Sequence, residues 1–282
     1  MTAKADCLVL FGATGDLAYK KLYPALHALQ ARGLLDIPVV GIAREGWSLE
    51  KLRDRICASL RDAGVPDDDP AAKALLAHVR YVHGDYNDPK SFSQLAGAMK
   101  DVRLPVFYLA IPPALFGEVV AELAANDLTS DARVVVEKPL GRDLASAEEL
   151  NHALASVLRE DQIFRIDHFL GYEQVQNILV ARFGNTILEP IWNRRYVRRV
   201  HIEMTESFGV EGRGAFYETV GCLRDVVQNH LLQLVAMLAM EPPISMDAKS
   251  ITDEKVKVLR AIKPITPDAL VRGQYDGYRH EK

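Results

Sequence analysis

The segment FRIDHFLGY places an aspartate and a histidine, Asp167 and His168, directly after a short apolar run. Another histidine, His230, occurs much later, in the segment RDVVQNHLLQ. A carboxylate that holds a histidine is a common catalytic pair, because it fixes the tautomer of the imidazole and stabilises its protonated form. These residue types predict general-base chemistry if the fold brings the two segments together.

His230 lies on a stripe of apolar residues at helical spacing. The stripe comprises Leu223, Val226, Val227, Leu234 and Leu238. One interpretation is a buried, hydrogen-bonded core histidine. The alternative is a functional base, which two polar residues on the neighbouring face, Asp225 and Asn229, favour because they make the helix unusually polar for a core element.

The N-terminal segment CLVLFGATGDLAYKK has the order strand, tight turn, helix. Its pattern G-x-x-G-x-x-A lets the backbone approach a pyrophosphate, and the helix N-terminus supplies N–H groups and partial positive charge. An ordinary strand-to-helix turn is the alternative. We predict a dinucleotide site at the turn, formed by Gly12, Ala13, Thr14, Gly15, Asp16 and Leu17.

The end of the second strand indicates which dinucleotide binds. An acidic residue there usually selects NAD by bonding the ribose 2′-hydroxyl, whereas this strand ends in Ile-Ala-Arg at Arg44. A guanidinium suits a 2′-phosphate, and Thr14 could add a hydroxyl donor. We predict NADP, with a solvated surface arginine as the alternative, and place Asp85 and Tyr86, which follow the third strand, near the adenine.

Lys138 follows another strand, in VVVEKPLG. The residue before a proline stays extended, which would aim this side chain toward the cofactor cleft. A surface lysine is the alternative interpretation.

The elements that must position these residues alternate along the first half of the chain. Apolar strand-like segments alternate with helical ones, which is typical of a parallel sheet covered on both faces, with ligands at the carboxyl ends of the strands. We predict a Rossmann-like, doubly wound α/β domain over residues 1–175. Residues 176–282 form a second domain, with antiparallel strands around 190–207 and a long helix at 217–240.

Composition excludes several classes of function. The 282 residues are 49% hydrophobic and 26% charged, with a net charge of −4, which is typical of a globular protein without a basic surface for nucleic acid or membrane. The apolar runs are too short to span a bilayer, and no signal peptide layout is present. Three scattered cysteines predict neither disulfides nor a metal site, and suit the cytoplasm.

Five segments together resemble the glucose-6-phosphate dehydrogenase family. They occur in the family's order with similar spacing, from the N-terminus to about residue 280: GATGDLAYKKLYP, EKPLG, RIDHFLGYE, TESFGVEGRG and RDVVQNHLLQ. The resemblance implies NADP-dependent oxidation of glucose 6-phosphate at C1 to 6-phosphogluconolactone, the first step of the pentose phosphate pathway.

The resemblance also implies the roles of individual residues. His230 would be the general base and Asp167 would orient it. Lys138 would bridge substrate and cofactor, and His168 would help to hold the 6-phosphate. The remaining implied ligands, Glu206 and Asp225, would accept hydrogen bonds from sugar hydroxyls.

Two departures from the family pattern bear on this function. Tyr172 stands where the family has a phosphate-binding lysine, and Phe169 stands where a tyrosine is frequent. Family members are also longer, with a large, mostly antiparallel C-terminal sheet through which they usually self-associate. We therefore expect an incomplete α+β domain, in a fragment or a shortened relative, with a homo-oligomer possible only if that domain is complete.

Two other functions stay open at this point. One is a dehydrogenase for a different or unphosphorylated sugar, which Tyr172 motivates. The other is a non-catalytic NADP-binding relative that has abandoned the sugar site.

Overall fold

The computed structural model describes residues 4–281, which form two compact units. The first unit is residues 1–166 and the second is residues 167–282. The predicted domain boundary near residue 175 falls inside the helix Glu173–Phe183. The placement of that boundary stays a prediction.

The first unit is built on a six-stranded, fully parallel sheet with the strand order β3-β2-β1-β4-β5-β6. This is the order of a doubly wound dinucleotide-binding fold, and it confirms the predicted Rossmann-like domain. The strands are β1 Cys7–Phe11, β2 Val39–Ala43, β3 Val79–His83, β4 Pro105–Leu109, β5 Arg133–Val136 and β6 Ile163–Arg165.

Helices connect these strands and cover the sheet. A π-helical turn, Ala18–Leu22, leads into the first of them. The α-helices are α1 Tyr23–Ala31, α2 Leu49–Asp62, α3 Pro70–His78, α4 Pro89–Ala98, α5 Phe116–Ala125 and α6 Leu144–Ala155, with 3-10 turns at Pro113–Leu115 and Glu160–Gln162.

Side-chain caps explain where several of these helices begin. Ser48 caps α2 by accepting a hydrogen bond from the backbone N–H of Lys51. Asp69, in the loop sequence GVPDDDP, caps α3 by accepting from the N–H of Ala72 at 2.8 Å. One of the three loop aspartates is therefore a helix cap.

The strand side chains form a core on each face of the sheet. Phe11 and Phe107 lie in the core on one face, and Leu10 lies in the core on the other. All three are at most 1% exposed, because helices cover both faces of the central parallel strands. Among the described helices, none combines the length and the apolar character needed to cross a membrane.

The second unit is helical. Its elements are a 3-10 segment His168–Gly171, α7 Glu173–Phe183, a 3-10 turn Glu189–Ile191, α8 Gly214–Cys222, a π-helix Leu223–Leu231, α9 Leu232–Ala239, α10 Ala248–Ala261, and 3-10 turns Pro267–Ala269 and Tyr278–His280. The segments from 214 to 239 follow one another without a break, so the predicted long helix is present. A positive φ of 66° at Gly221 kinks it.

The predicted antiparallel strands around residues 190–207 do not form in the described part of the chain. Residues 192–213 have no regular secondary structure. The physical reason is that a strand is stabilised by hydrogen bonds to a neighbouring strand, and the described part of the second unit contains no strand to pair with.

Candidate active site

The glycine turn after β1 has a conformation that a side chain would obstruct. Gly12 has a φ of +77°, and a Cβ added to it would lie 2.1 Å from the carbonyl oxygen of Ala110. Its N–H points at the carbonyl oxygen of Ile42, 3.0 Å away. A glycine is therefore required at this position.

Tyr86 stabilises this turn through two hydrogen bonds. Its hydroxyl accepts a hydrogen bond from the N–H of Gly12 at 2.8 Å and donates one to the carbonyl oxygen of Ile42 at 3.1 Å. The residue is 5% exposed, and burial raises its pKa to about 12, so the hydroxyl stays protonated. The structure thus gives Tyr86 a role within the turn that the predicted adenine contact did not anticipate.

The remaining residues of the turn differ in exposure. The side chain of Ala13 is fully buried, so only its backbone can meet a ligand. Asp16 is exposed and pairs with Lys20 at 3.1 Å, and Leu17 is 37% exposed. Gly15 closes the turn by donating its N–H to the carbonyl oxygen of Gly12 at 2.9 Å.

The end of β2 carries the groups expected to meet the ribose. Arg44 is exposed directly after the strand. The Thr14 hydroxyl donates a 2.7 Å hydrogen bond to Glu45 Oε2, and this bond holds the pKa of the Glu45 carboxyl below its usual range. This hydrogen bond links the glycine turn to the end of β2 beside Arg44. Asp85, after β3, is exposed and accepts from the N–H of Asn87 at 3.1 Å.

Lys138 follows β5 by two residues and is partly buried. Its peptide bond to Pro139 is cis. The lysine therefore belongs to the loops at the carboxyl ends of the strands, as the sequence predicted, within the first unit.

The second unit brings Asp167 and His230 into contact. Asp167 Oδ1 lies 2.6 Å from His230 Nδ1, with the two side chains only 15% and 6% exposed. Asp167 Oδ1 also accepts a hydrogen bond from the N–H of Phe169 at 3.1 Å, which fixes the carboxylate at the start of the 3-10 segment. A buried, anchored carboxylate is the arrangement that orients a histidine base.

Aromatic rings enclose the His230 imidazole. Phe169 stacks on it with a centroid distance of 5.0 Å and an interplanar angle of 26°. His168 lies at the same centroid distance, tilted by 58°. Tyr172 is next in line, with its ring edge-on to His168 at 6.2 Å, and is 52% exposed. His168, predicted to lie at the substrate phosphate, thus adjoins His230, and Tyr172, predicted to lie there too, adjoins His168.

A π-helix carries both His230 and Asp225. Local hydrogen bonds stabilise this π-helix. Asn229 donates to the carbonyl oxygen of Asp225 at 2.8 Å and accepts from the N–H of His230 at 2.7 Å. Such π-helical segments are frequent at functional sites. The polar residues that marked this helix in the sequence therefore stabilise its local geometry.

A cavity of about 440 Å³ in the second unit is lined by both predicted sugar ligands, Glu206 and Asp225. Arg213 also lines it, and its Nη2 lies 3.3 Å from Asp225 Oδ2. The two carboxylates thus share one concave surface of a size that accommodates a sugar.

Sequence reasoning did not single out two side chains that these sites contain. Glu45 forms a hydrogen bond with Thr14, and Arg213 pairs with Asp225. Glu45 is adjacent to Arg44, which was the one available signal for it. For Arg213, residue type and local spacing carry no sign of its partner. Phe169, which the sequence marked only as a departure from the family pattern, stacks on His230.

Family models match both halves of the chain. Residues 9–177 match the model described as "Glucose-6-phosphate dehydrogenase, NAD binding domain", and residues 179–282 match "Glucose-6-phosphate dehydrogenase, C-terminal domain". Together the two models cover nearly all of the chain.

The curated relatives that match the chain are glucose-6-phosphate 1-dehydrogenases. The glucose-6-phosphate 1-dehydrogenase 1 of Mycobacterium tuberculosis is 46% identical over 275 residues, which are 97% of this chain and 59% of the relative. The glucose-6-phosphate 1-dehydrogenase of Bacillus subtilis is 43% identical, with 95% of this chain and 57% of the relative covered. The chain thus spans less than two thirds of the length of these relatives.

Two solved structures are similar throughout the chain. The glucose-6-phosphate 1-dehydrogenase from Mycobacterium avium has a TM-score of 0.93 at 45% identity, covering 98% of this chain and 62% of its own. A glucose-6-phosphate dehydrogenase in complex with glucose 6-phosphate has a TM-score of 0.91 at 42% identity, covering 98% and 60%. The chain therefore belongs to the glucose-6-phosphate dehydrogenase family.

Proposed function

We propose that this chain carries the catalytic machinery of an NADP-dependent glucose-6-phosphate 1-dehydrogenase, which oxidises C1 of glucose 6-phosphate to 6-phosphogluconolactone at the start of the pentose phosphate pathway. The observation that carries the proposal is the contact of Asp167 with His230, at 2.6 Å in a largely buried setting. A base held in this way suits proton abstraction from a sugar hydroxyl. The relatives are glucose-6-phosphate 1-dehydrogenases, which supports glucose 6-phosphate as the substrate.

His230 removes the proton of the C1 hydroxyl. Its Nδ1 faces Asp167, which leaves Nε2 as the nitrogen that accepts the proton. As the O–H bond breaks, C1 releases a hydride and its C–O bond becomes the carbonyl of the lactone. The NADP⁺ that the glycine turn at Gly12 and Arg44 would hold would supply the acceptor for that hydride. Asp167 stabilises the imidazolium formed in the same step.

The cofactor site is supported by the glycine turn and the end of β2. The space that a Cβ at Gly12 would need is already occupied by Ala110, which is the arrangement of a turn built for close backbone approach. Arg44 is exposed beside Thr14 and Glu45, where a 2′-phosphate would meet a cation. Asp85 lies near the adenine of the cofactor. Lys138 takes part in binding both the cofactor and the substrate.

The sugar is held by residues of the second unit. Glu206 and Asp225 line one cavity and accept hydrogen bonds from sugar hydroxyls. His168 and Tyr172, beside the base, face the 6-phosphate. Carboxylates provide the acceptors that a neutral sugar ring needs, whereas the phosphate needs donors.

The decisive experiment is an assay of NADPH formation with glucose 6-phosphate, run on this chain and on His230→Asn. We expect absorbance at the NADPH band to rise with the unmodified chain and to fall to background in the variant. His152→Asn is the matched control, since His152 lies on α6 and takes no part in either site. Turnover that survives in His230→Asn would overturn the assignment of the base.

A second candidate is a dehydrogenase for an unphosphorylated sugar. It is favoured by Tyr172, whose exposed, uncharged side chain stands where the family has a lysine. The ratio of kcat/KM for glucose 6-phosphate to that for glucose separates the two candidates. A ratio below one would replace the first proposal with the second, and cofactor binding without turnover of any sugar would indicate a non-catalytic relative.

We also propose a cytoplasmic location, and a homo-oligomer if the C-terminal domain is complete. An Arabidopsis relative with 41% identity is named a cytoplasmic enzyme. Self-association is tested by light scattering across protein concentration, where a constant monomer mass would refute it.

A further inference from the structure

A buried oxygen of the catalytic carboxylate lacks a hydrogen-bond donor. Asp167 Oδ1 contacts His230 and the N–H of Phe169, but Asp167 Oδ2 is buried and has no hydrogen-bond partner among residues 4–281. Burying carboxylate charge without compensation is unfavourable, and a nearby cation is the usual compensation. A positive charge near Asp167 would therefore stabilise the carboxylate before His230 is protonated.

Lys255 supplies a positive charge near the helix that carries His230. It lies on α10, which packs on α9, and its Nζ donates a 2.9 Å hydrogen bond to Gln233 Oε1. Gln233 follows His230 by three positions in the same continuous helix, so both residues lie on one face. The partly buried ammonium is thereby held one helical turn from the catalytic base.

An electrostatic interaction links Lys255 to the carboxylate. Burial lowers the pKa of Lys255, and the negative charge of Asp167 acts against that lowering. The interaction is not that of a surface pair, because Lys255 is partly buried and Asp167 is 15% exposed. It is therefore weakly screened by salt.

Two other charged side chains on the helices that pack against α9 have contacts of their own. Arg182 of α7 donates to the carbonyl oxygens of Met237 and Met240, and Glu254 of α10 pairs with Lys257. The charged and titratable groups on the elements around His230 are His168 and Tyr172 from the segment after β6, Arg182 from α7, Glu254 and Lys255 from α10, and Asp225 from the π-helix itself.

We propose that Lys255 is a positioning residue whose ammonium disfavours the protonated form of His230, so that the base is ready at neutral pH. The ammonium attracts the carboxylate and repels the imidazolium. Its consequence for catalysis rests on the proposed dehydrogenase function, whereas the electrostatic coupling itself does not.

The coupling is tested by NMR titration of the histidine side chains in the full chain. Lys255→Gln removes the charge but keeps a hydrogen-bond donor for Gln233, and Lys255→Arg keeps both. We expect the titration midpoint of His230, assigned with His230→Asn, to rise by about half to one pH unit in Lys255→Gln. Lys255→Arg should restore the midpoint of the unmodified chain.

The matched control is Lys249→Gln. Lys249 lies on the same helix but is 82% exposed and pairs with Asp253, so the midpoint should not move. An unchanged midpoint in folded Lys255→Gln, or an equal shift in Lys249→Gln, would overturn the proposal. If Lys255→Gln does not fold, Lys255→Met is measured in its place, with the same shift expected.

Turnover provides the second readout. The acid limb of the pH profile of kcat/KM should move to higher pH by the same amount in Lys255→Gln, and an unmoved limb beside a shifted midpoint would refute the catalytic part of the proposal. A midpoint shift in a chain that produces no NADPH would instead refute the proposed function and leave the coupling intact. The two failures are therefore distinguishable.

Discussion

The carboxylate of Asp167 lies 2.6 Å from the imidazole of His230, although one follows a strand of the parallel sheet and the other lies within a π-helix. Asp167 is anchored by the backbone N–H of Phe169, and the ring of the same Phe169 stacks on His230. One short segment thus provides both the carboxylate that contacts His230 and the ring that stacks on it.

The first prediction concerns the interdependence of this pair. His230→Asn should lower kcat by about a hundredfold to ten-thousandfold, because proton transfer to a positioned base contributes that much. Asp167→Asn should lower it by at least about tenfold. The double variant should be no slower than His230→Asn, since residues that act as a unit are not additive. Steady-state kinetics of the three variants checks this, and additive losses would contradict a shared role.

The second prediction concerns the glycine turn. Gly12→Ala should destabilise the first unit by about 2 kcal/mol or more and abolish measurable NADP⁺ binding, because the new Cβ meets Ala110 at 2.1 Å. Gly33→Ala is the control, as Gly33 has a φ of +65° but nothing within 4 Å of a Cβ. Its cost should be only about 1 kcal/mol. Denaturant unfolding and calorimetric titration measure both effects; equal losses in the two variants would show that backbone strain, and not the close contact, decides.

The third prediction concerns the choice between NADP and NAD. Arg44→Ala should raise the Kd for NADP⁺ roughly ten- to a hundredfold by removing a charge-assisted contact to the 2′-phosphate. The Kd for NAD⁺ should change by less than about twofold. Arg32→Ala, an exposed arginine after α1, serves as the control. An equal weakening of both cofactors would place Arg44 away from the 2′-phosphate.

The fourth prediction concerns the phosphate of the substrate. Tyr172→Lys should lower KM for glucose 6-phosphate by roughly ten- to a hundredfold, since the site gains one cation and the exposed position has room for it. Values of kcat/KM for glucose should stay unchanged. Tyr172→Met, which adds no charge, is the comparison variant, and a similar gain there would show that removal of the ring, and not the added charge, is responsible.

The fifth prediction concerns the stability of the second unit. Arg182 is 6% exposed and donates to the carbonyl oxygens of Met237 at 2.7 Å and Met240 at 2.8 Å, at the end of the long helix. Arg182→Met should cost about 2–4 kcal/mol, because two charge-assisted hydrogen bonds are lost.

Trp192 provides the probe for that measurement. Its ring centroid is 5.5 Å from the Arg182 guanidinium, so its fluorescence reports unfolding of this region in a Trp47→Phe background. Arg199→Met, at an exposed position, should leave the transition in place. A stability of Arg182→Met equal to that of the control would contradict the role of the buried guanidinium.

The sequence by itself determined the parallel sheet and its glycine turn, because their causes are local. An apolar run of strand length predicts a buried strand, and a strand followed by Gly12 and a helix predicts the turn that the structure contains. The helix around His230 was predictable for the same reason, from apolar spacing over a single element.

Only the tertiary structure decided which of these side chains meet. Asp167 and His230, Thr14 and Glu45, and Lys255 and Gln233 are pairs that lie far apart in the chain, and residue type alone does not specify their distance. The strands predicted around residues 190–207 were wrong for the described chain for the converse reason. A strand depends on a neighbour's hydrogen bonds, which its own sequence cannot supply.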